Sequence, residues 1–319
     1  MTGALLIGCL AVATGCSDAD SADSEAATTT EDELGEGESG AETSGDTGGD
    51  TAGETTGETV DDSAETTTDS AGEAETSDSS EDTSDDSSDS AGDCVEQALL
   101  DTTLVTDDAV ALIADTYMLG QVGAPAVVLL HMIPPNNSKA NFPGSFVELL
   151  TARGFNVVNV NRRGAPGSEG VATEAYIGPN GKWDVKAAYD YLTDHPCQVP
   201  AGQIVVIGAS NGTTSALDFS LYAAGEDSVE QPRGLVFLSA GGYTGGNQGG
   251  LQTNMAALGH PILFNYPSAE TAYNEAVSGW APAAWNFQEY APGAHGTGMF
   301  GSNPESASAT ADWVEALFE

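Results

Sequence analysis

Five short, mostly apolar runs between residues 126 and 265 restrict this chain more than any other feature: 126–131, 155–160, 204–208, 234–239 and 261–265. Runs of this length, rich in Val, Ile, Leu and Phe and bounded by Gly, Pro or Asn, read as strands buried in a sheet. Residues 110–117 form a sixth candidate strand. Helical patterns lie between them. Residues 146–150 lead to Arg153-Gly154, a glycine stop; residues 184–192 start at Asp184, expected as an N-cap; residues 213–222 follow the third run. Strands alternating with helices predict an α/β fold: a mainly parallel, twisted sheet with helices on both faces. Chemistry in such sheets gathers at the carboxyl ends of the strands. The roughly 225 residues from Cys94 onward suffice for one such domain.

The rest of the chain is of another kind. Residues 17–93 hold 27 of the 49 acidic residues and no basic one, set among Ser, Thr, Gly and Ala with almost no aliphatic and no aromatic side chain. Such a stretch cannot bury enough apolar surface to offset the entropy of ordering, so it is expected to be a disordered acidic spacer. Its span as a coil is on the order of 50 Å, extended further by self-repulsion. Asp around Gly follows no fixed spacing, which favours a solvated spacer over a calcium-binding array. The remainder carries 22 acidic residues against 7 Lys and Arg, so neither part offers the basic patch that nucleic acid requires.

Residues 1–16, MTGALLIGCLAVATGC, are a short apolar run ending in small residues and a cysteine. The run is too short to span a bilayer and suits a signal-peptide core. It resembles the signal of a bacterial lipoprotein, in which the cysteine after a small residue is lipidated. Cys16, preceded by Ala13-Thr14-Gly15 and bordering the spacer, is the expected site. Export to the cell envelope, with a membrane anchor facing the periplasm or exterior, follows. In such an oxidising compartment Cys94 and Cys197 are expected to pair as a disulfide, and neither has metal-ligand spacing.

The run 204–208 leads into Gly208-Ala209-Ser210-Asn211-Gly212, and a helical pattern follows. A turn tight enough to lift a serine out of a strand needs neighbours without bulk, and Gly208 and Gly212 meet that need. This Gly-x-Ser-x-Gly between strand and helix resembles the nucleophile elbow of the α/β-hydrolase superfamily. The resemblance covers the chain from about Val105 onward and implies a Ser, acid, His order. His295 lies in the Gly-rich segment 291–298 before the C-terminal helix, where the family's histidine falls. The acid follows the strand 261–265, where Glu270 is the first carboxylate and Glu275 the fallback. His195 and His260 are expected to be structural.

For the oxyanion the resemblance implies the backbone N–H of Asn211 and a second donor from the loop after residues 126–131, Met132 or Ile133. Met132 stands where the family has glycine after its histidine, and His131 is expected to support that loop. Residues 161–168 are similar to the family's Asp-x-Arg-Gly-x-Gly-x-Ser turn, with Asn161 for the Asp, and are read as structural. No long insertion separates Ser239 from Pro261, so no large lid domain is expected, and residues 241–247 are expected to form a flexible rim. The reading is a serine hydrolase acting on a small ester or lactone, without metal or organic cofactor, similar to the dienelactone-hydrolase branch. The competing reading is a non-catalytic surface binding protein on the same fold.

Overall fold

The computed structural model describes residues 92–133, 138–245 and 249–319. Cys16 and residues 17–91 of the spacer lie outside them. Among the described residues eight strands form one sheet: β1 (Glu96–Val105), β2 (Ala111–Leu119), β3 (Ala126–Leu130), β4 (Asn156–Asn161), β5 (Ile204–Ala209), β6 (Gly234–Leu238), β7 (Ile262–Pro267) and β8 (Trp285–Tyr290). The α-helices of the described residues are α1 (Gly144–Ala152), α2 (Gly181–Asp194), α3 (Gly212–Gly225), α4 (Leu251–Asn254), α5 (Thr271–Ser278), α6 (Met299–Ser302) and α7 (Glu305–Ala316). Among the described residues no helix is long and apolar enough to cross a membrane.

The strand order is β1-β2-β4-β3-β5-β6-β7-β8. β3 to β8 run parallel, and β2 joins β4 antiparallel, with β1 antiparallel to β2 at the edge. The chain steps from β3 outward to β4 and then back to β5 on the other side of β3. That reversal opens a crevice at the carboxyl ends of β3 and β5, the position where open α/β sheets place ligands.

Burial on both faces is visible residue by residue. Ala126, Val128 and Leu130 of β3 face one core with Val185 and Leu192 of α2 and Leu217 and Phe219 of α3. Val127 and Leu129 face the other, with Phe146 and Leu150 of α1 and Val314 of α7. The two-residue alternation of a strand thus feeds two cores at once, which is why β3, β5 and β6 carry almost no polar residue.

Some expectations needed correction. β1 was not foreseen, because an edge strand packed on one side carries a mixed pattern, EQALLDTTLV. Asp184 is not an N-cap: α2 starts at Gly181, and Asp184 lies inside its first turn, fully buried. There its carboxylate accepts from the Arg163 N–H and Nε at 2.9 and 2.8 Å. A buried guanidinium needs a charged partner more than the helix needs a cap.

Candidate functional site

Ser210 follows β5 directly and has φ +50°, a left-handed conformation costly for any residue with a Cβ. Its neighbours explain how the turn closes. A Cβ on Gly208 would lie 2.5 Å from the Gly212 carbonyl oxygen, and one on Gly212 would lie 2.4 Å from the Leu130 oxygen. Only hydrogen fits at both positions, so the two glycines let α3 start hard against β3 and β5. The Ser210 N–H donates to Leu238 O at 2.8 Å and its carbonyl accepts from Thr213, fixing the strained residue from both sides.

His295 reaches Ser210 from a segment 85 residues further on. Ser210 Oγ lies 2.7 Å from His295 Nε2, and His295 Nδ1 lies 2.6 Å from Glu270 Oε1. An ionised carboxylate can only accept, so Nδ1 carries the proton and donates to Glu270; Nε2 is then free to accept from the serine O–H. The imidazole remains 45% exposed while Ser210 is 6% exposed, so solvent reaches the histidine more readily than the serine. Glu270 Oε2 is buried without a hydrogen-bond partner among the described residues. Glu275 lies on α5 and is exposed, and among the described residues the carboxylate paired with His295 is that of Glu270.

The loop bearing His295 is held by a residue the sequence reading passed over. Ser239, buried at the end of β6 with φ +62°, accepts from the Gly296 N–H through its Oγ at 2.8 Å. A polar residue directly after an apolar run at a strand's carboxyl end is the signal that could have found it, the same signal that marks Ser210. Tyr243 is the second omission. Its hydroxyl donates to Ser239 O, and burial pushes its phenol up to about 12 against the pull of the adjacent Ser210 hydroxyl. The expected rim is therefore a hydrogen-bonded turn over Gly241–Gly245, tied down by Thr244 to Thr213 at 2.8 Å, while residues 246–248 lie outside the described residues.

On the opposite side of Ser210 a buried polar chain links the candidate oxyanion residues. His131 donates from Nδ1 to Met132 O at 3.0 Å and accepts the Arg162 N–H at Nε2 at 3.0 Å. Both ring nitrogens are used in the neutral form, and burial, aided by Arg162, holds its pKa at about 3. His131 is thus a strut. Arg162, fully buried, donates from Nη2 to Asn211 Oδ1 at 2.7 Å and from Nη1 to Asn211 O at 3.4 Å. The Asn211 N–H makes no hydrogen bond among the described residues, and it opens α3, whose N-terminus favours negative charge. Asn161 and Arg163 remain structural, Asn161 holding the turn through Pro166 O at 2.8 Å.

Cys94 and Cys197 are joined by a disulfide with Cα atoms 4.6 Å apart, tying the entry to β1 to the loop after α2. His195 and His260 sit away from Ser210, bonded to Cys197 N and Ser220 Oγ. Among the described residues no group of three or more His, Cys, Asp or Glu could hold a metal ion.

No family model matches the chain, and no curated protein matches it in sequence. Solved structures do match. An esterase from Pyrococcus furiosus superimposes with a TM-score of 0.52 at 16% identity, over 70% of this chain and 92% of that one. The 2,6-dihydroxy-pseudo-oxynicotine hydrolase gives 0.50 at 16% identity, over 70% of this chain and 68% of that one. A sugar hydrolase from Lactococcus lactis gives 0.50 at 13% identity, over 68% and 98%. With the strand order and the turn at Ser210, the likeness establishes that the chain has the α/β-hydrolase fold.

Proposed function

We propose that this protein is a serine hydrolase that cleaves an ester or related acyl bond through Ser210, His295 and Glu270. The observation that carries the reading is the unbroken hydrogen-bond relay from Ser210 Oγ through His295 to Glu270, at 2.7 and 2.6 Å. A serine hydroxyl attacks a carbonyl only if a base takes its proton as the bond forms. His295 Nε2 is placed to take it and then to deliver it to the leaving oxygen. Glu270 holds the tautomer that leaves Nε2 unprotonated and stabilises the imidazolium in between.

The Asn211 N–H supplies one oxyanion donor. A trans peptide sets its C=O and N–H antiparallel, so His131 on the Met132 carbonyl turns the Ile133 N–H the other way, and we assign the second donor to Ile133. Water then enters on the exposed His295 side and releases the acid by the same steps in reverse. The substrate is a small ester or lactone. The reading also makes the protein an exported one, anchored in the cell envelope through a lipid on Cys16, and the Cys94–Cys197 disulfide suits that oxidising setting.

Mass spectrometry after incubation with a fluorophosphonate tests the chemistry. One adduct on Ser210, lost in His295→Ala and slowed by Glu270→Gln but not by Glu275→Gln, is expected. A folded protein that takes no label is not a serine hydrolase. The mass of the mature N-terminal peptide, diacylated at Cys16 or not, tests the anchor.

A further inference from the structure

Two arginines stand side by side after β4, in Asn161-Arg162-Arg163-Gly164, and the fold surrounds them differently. Arg163 falls where the family's turn has its arginine, and three carboxylates pair with it: Asp108, Glu174 and Asp184. Arg162 falls at the unspecified position of that turn, so the resemblance assigns it nothing. It is 1% exposed, and among the described residues no carboxylate forms an ion pair with it. Asp184 and Tyr176 favour its charge, but the Asp184 carboxylate is bonded to Arg163. Burial lowers the Arg162 pKa to about 10, which leaves the guanidinium charged at neutral pH. A buried cation without a carboxylate is costly to a fold, and this one directs its donors at the candidate site.

We infer that Arg162 is a positioning residue that fixes the two oxyanion donors relative to each other, one through its side chain and the other through its backbone. The inference rests on the serine-hydrolase reading. Nη2 donates to Asn211 Oδ1 at 2.7 Å, while Nη1 donates to Asn211 O at 3.4 Å and to Ser215 Oγ at 3.3 Å. The fork therefore grips Asn211 by both of its oxygens and α3 one turn further on. The Ser210 carbonyl, in the same peptide as the Asn211 N–H, is held by the Thr213 hydroxyl. Between these two anchors the Asn211 N–H keeps one direction. On the other side the Arg162 N–H donates to His131 Nε2 at 3.0 Å, and His131 Nδ1 donates to the Met132 carbonyl at 3.0 Å. That carbonyl belongs to the peptide whose N–H is Ile133. One residue at the carboxyl end of β4 is thus bonded toward both donors, and donors fixed before the reaction need no reorganisation as charge develops.

The test compares Arg162→Met, Arg162→Lys and Asn211→Ala with the wild type as full-length proteins, by p-nitrophenyl acetate hydrolysis, fluorophosphonate labelling of Ser210 and thermal melts. Removing an oxyanion donor outright costs about 10²–10³ in kcat. Loosening one costs less, so Arg162→Met should lower kcat and the labelling rate by about 10–100-fold and leave KM within about twofold. Its melting temperature should equal or exceed that of the wild type, because methionine fills the space and leaves no charge buried. An arginine that only supports the fold gives the reverse, a lower melting temperature with kcat unchanged. Arg162→Lys keeps the charge without the fork and should recover only part of the rate. Asn211→Ala should lose a comparable share, and the double variant less than the product of the two losses, because both cut one link. Rates within about twofold of wild type in Arg162→Met, full recovery by Arg162→Lys, or losses that multiply in full overturn the inference. Should Arg162→Met not fold, Asn211→Ala decides, since it leaves the guanidinium in place: labelling at the wild-type rate overturns the inference. Labelling of Ser210 in the wild type reports separately on the underlying reading.

Discussion

Replacing Gly212 with alanine puts a methyl group 2.4 Å from the Leu130 carbonyl oxygen and 3.1 Å from that of His131. Carbon and oxygen approach to about 3.3 Å at closest without penalty, so one backbone must retreat by roughly 1 Å. Neither can yield by a rotamer change, since the obstacle is the end of β3 and the loop that follows it. Overpacking of this kind costs about 1–3 kcal/mol. At about 2–4 °C per kcal/mol for a domain this size, the melting temperature should fall by roughly 2–12 °C. The effect on chemistry should be larger than the effect on stability. The retreat moves Ser210 and Asn211 relative to the oxyanion loop, and a displacement of about 1 Å costs on the order of 100-fold in rate. Thermal melts give the first number and the rate of fluorophosphonate labelling of Ser210 the second, with no need to know the substrate. Gly225→Ala, at the end of α3 with nothing within 4 Å of its Cβ, is the control and should be neutral or stabilising by up to about 1 kcal/mol. If Gly212→Ala matches that control in both measurements, the account of the elbow as a backbone-on-backbone contact is wrong.

Asp184→Ala removes a buried carboxylate from a buried guanidinium, whose remaining partners are Asp108 at 2.8 Å and Glu174 at 3.6 Å. A loss of about 3 kcal/mol in urea denaturation is expected, and a loss below 1 kcal/mol would mean that Asp108 alone satisfies Arg163. Mutating Cys94 and Cys197 together to serine releases a closed loop with a sequence separation of 103 residues, for which chain entropy predicts a loss of about 4.7 kcal/mol; an unchanged denaturation midpoint would contradict it. Burial holds His131 at about 3 and His260 at about 4 in the folded chain, below the ordinary value near 6.5 of the unfolded one. The unfolded state then binds more protons between those values, so stability is complete above about pH 6.5 and falls as pH drops toward 4. Each histidine adds a slope of about 1.4 kcal/mol per pH unit, and His260→Asn should shallow the measured slope by that amount.

Most of the sheet was legible because a strand buried on both faces is largely apolar, as 204–208 and 234–238 are. β1 escaped for the converse reason. An edge strand needs only one packed side, and its exposed Leu99, Leu100 and Val105 carry no period that marks a strand. Asp184 looked like a cap because an acidic residue before a helical pattern usually is one. Its true partner, Arg163, comes from a loop 21 residues away, and no local pattern encodes that meeting.

The candidate site divides along the same line. The glycines flanking the serine and the order of serine, carboxylate and histidine along the chain are local or sequential facts, and the sequence by itself was enough to name Ser210 and His295 as candidates and to narrow the carboxylate to Glu270 or Glu275. It also settled that residues 17–93 lack the apolar content of a core and that the remainder must form an α/β sheet. Other features depend on chain segments meeting across the crevice where β3 and β5 diverge. The contact of His295 with Glu270 rather than with Glu275 is one of them. So are the Ser239 strut under the histidine loop and the Arg162 fork on Asn211. Only the tertiary structure decided these, because a hydrogen bond or a shared wall between residues tens of positions apart leaves no trace in either residue's neighbours along the chain.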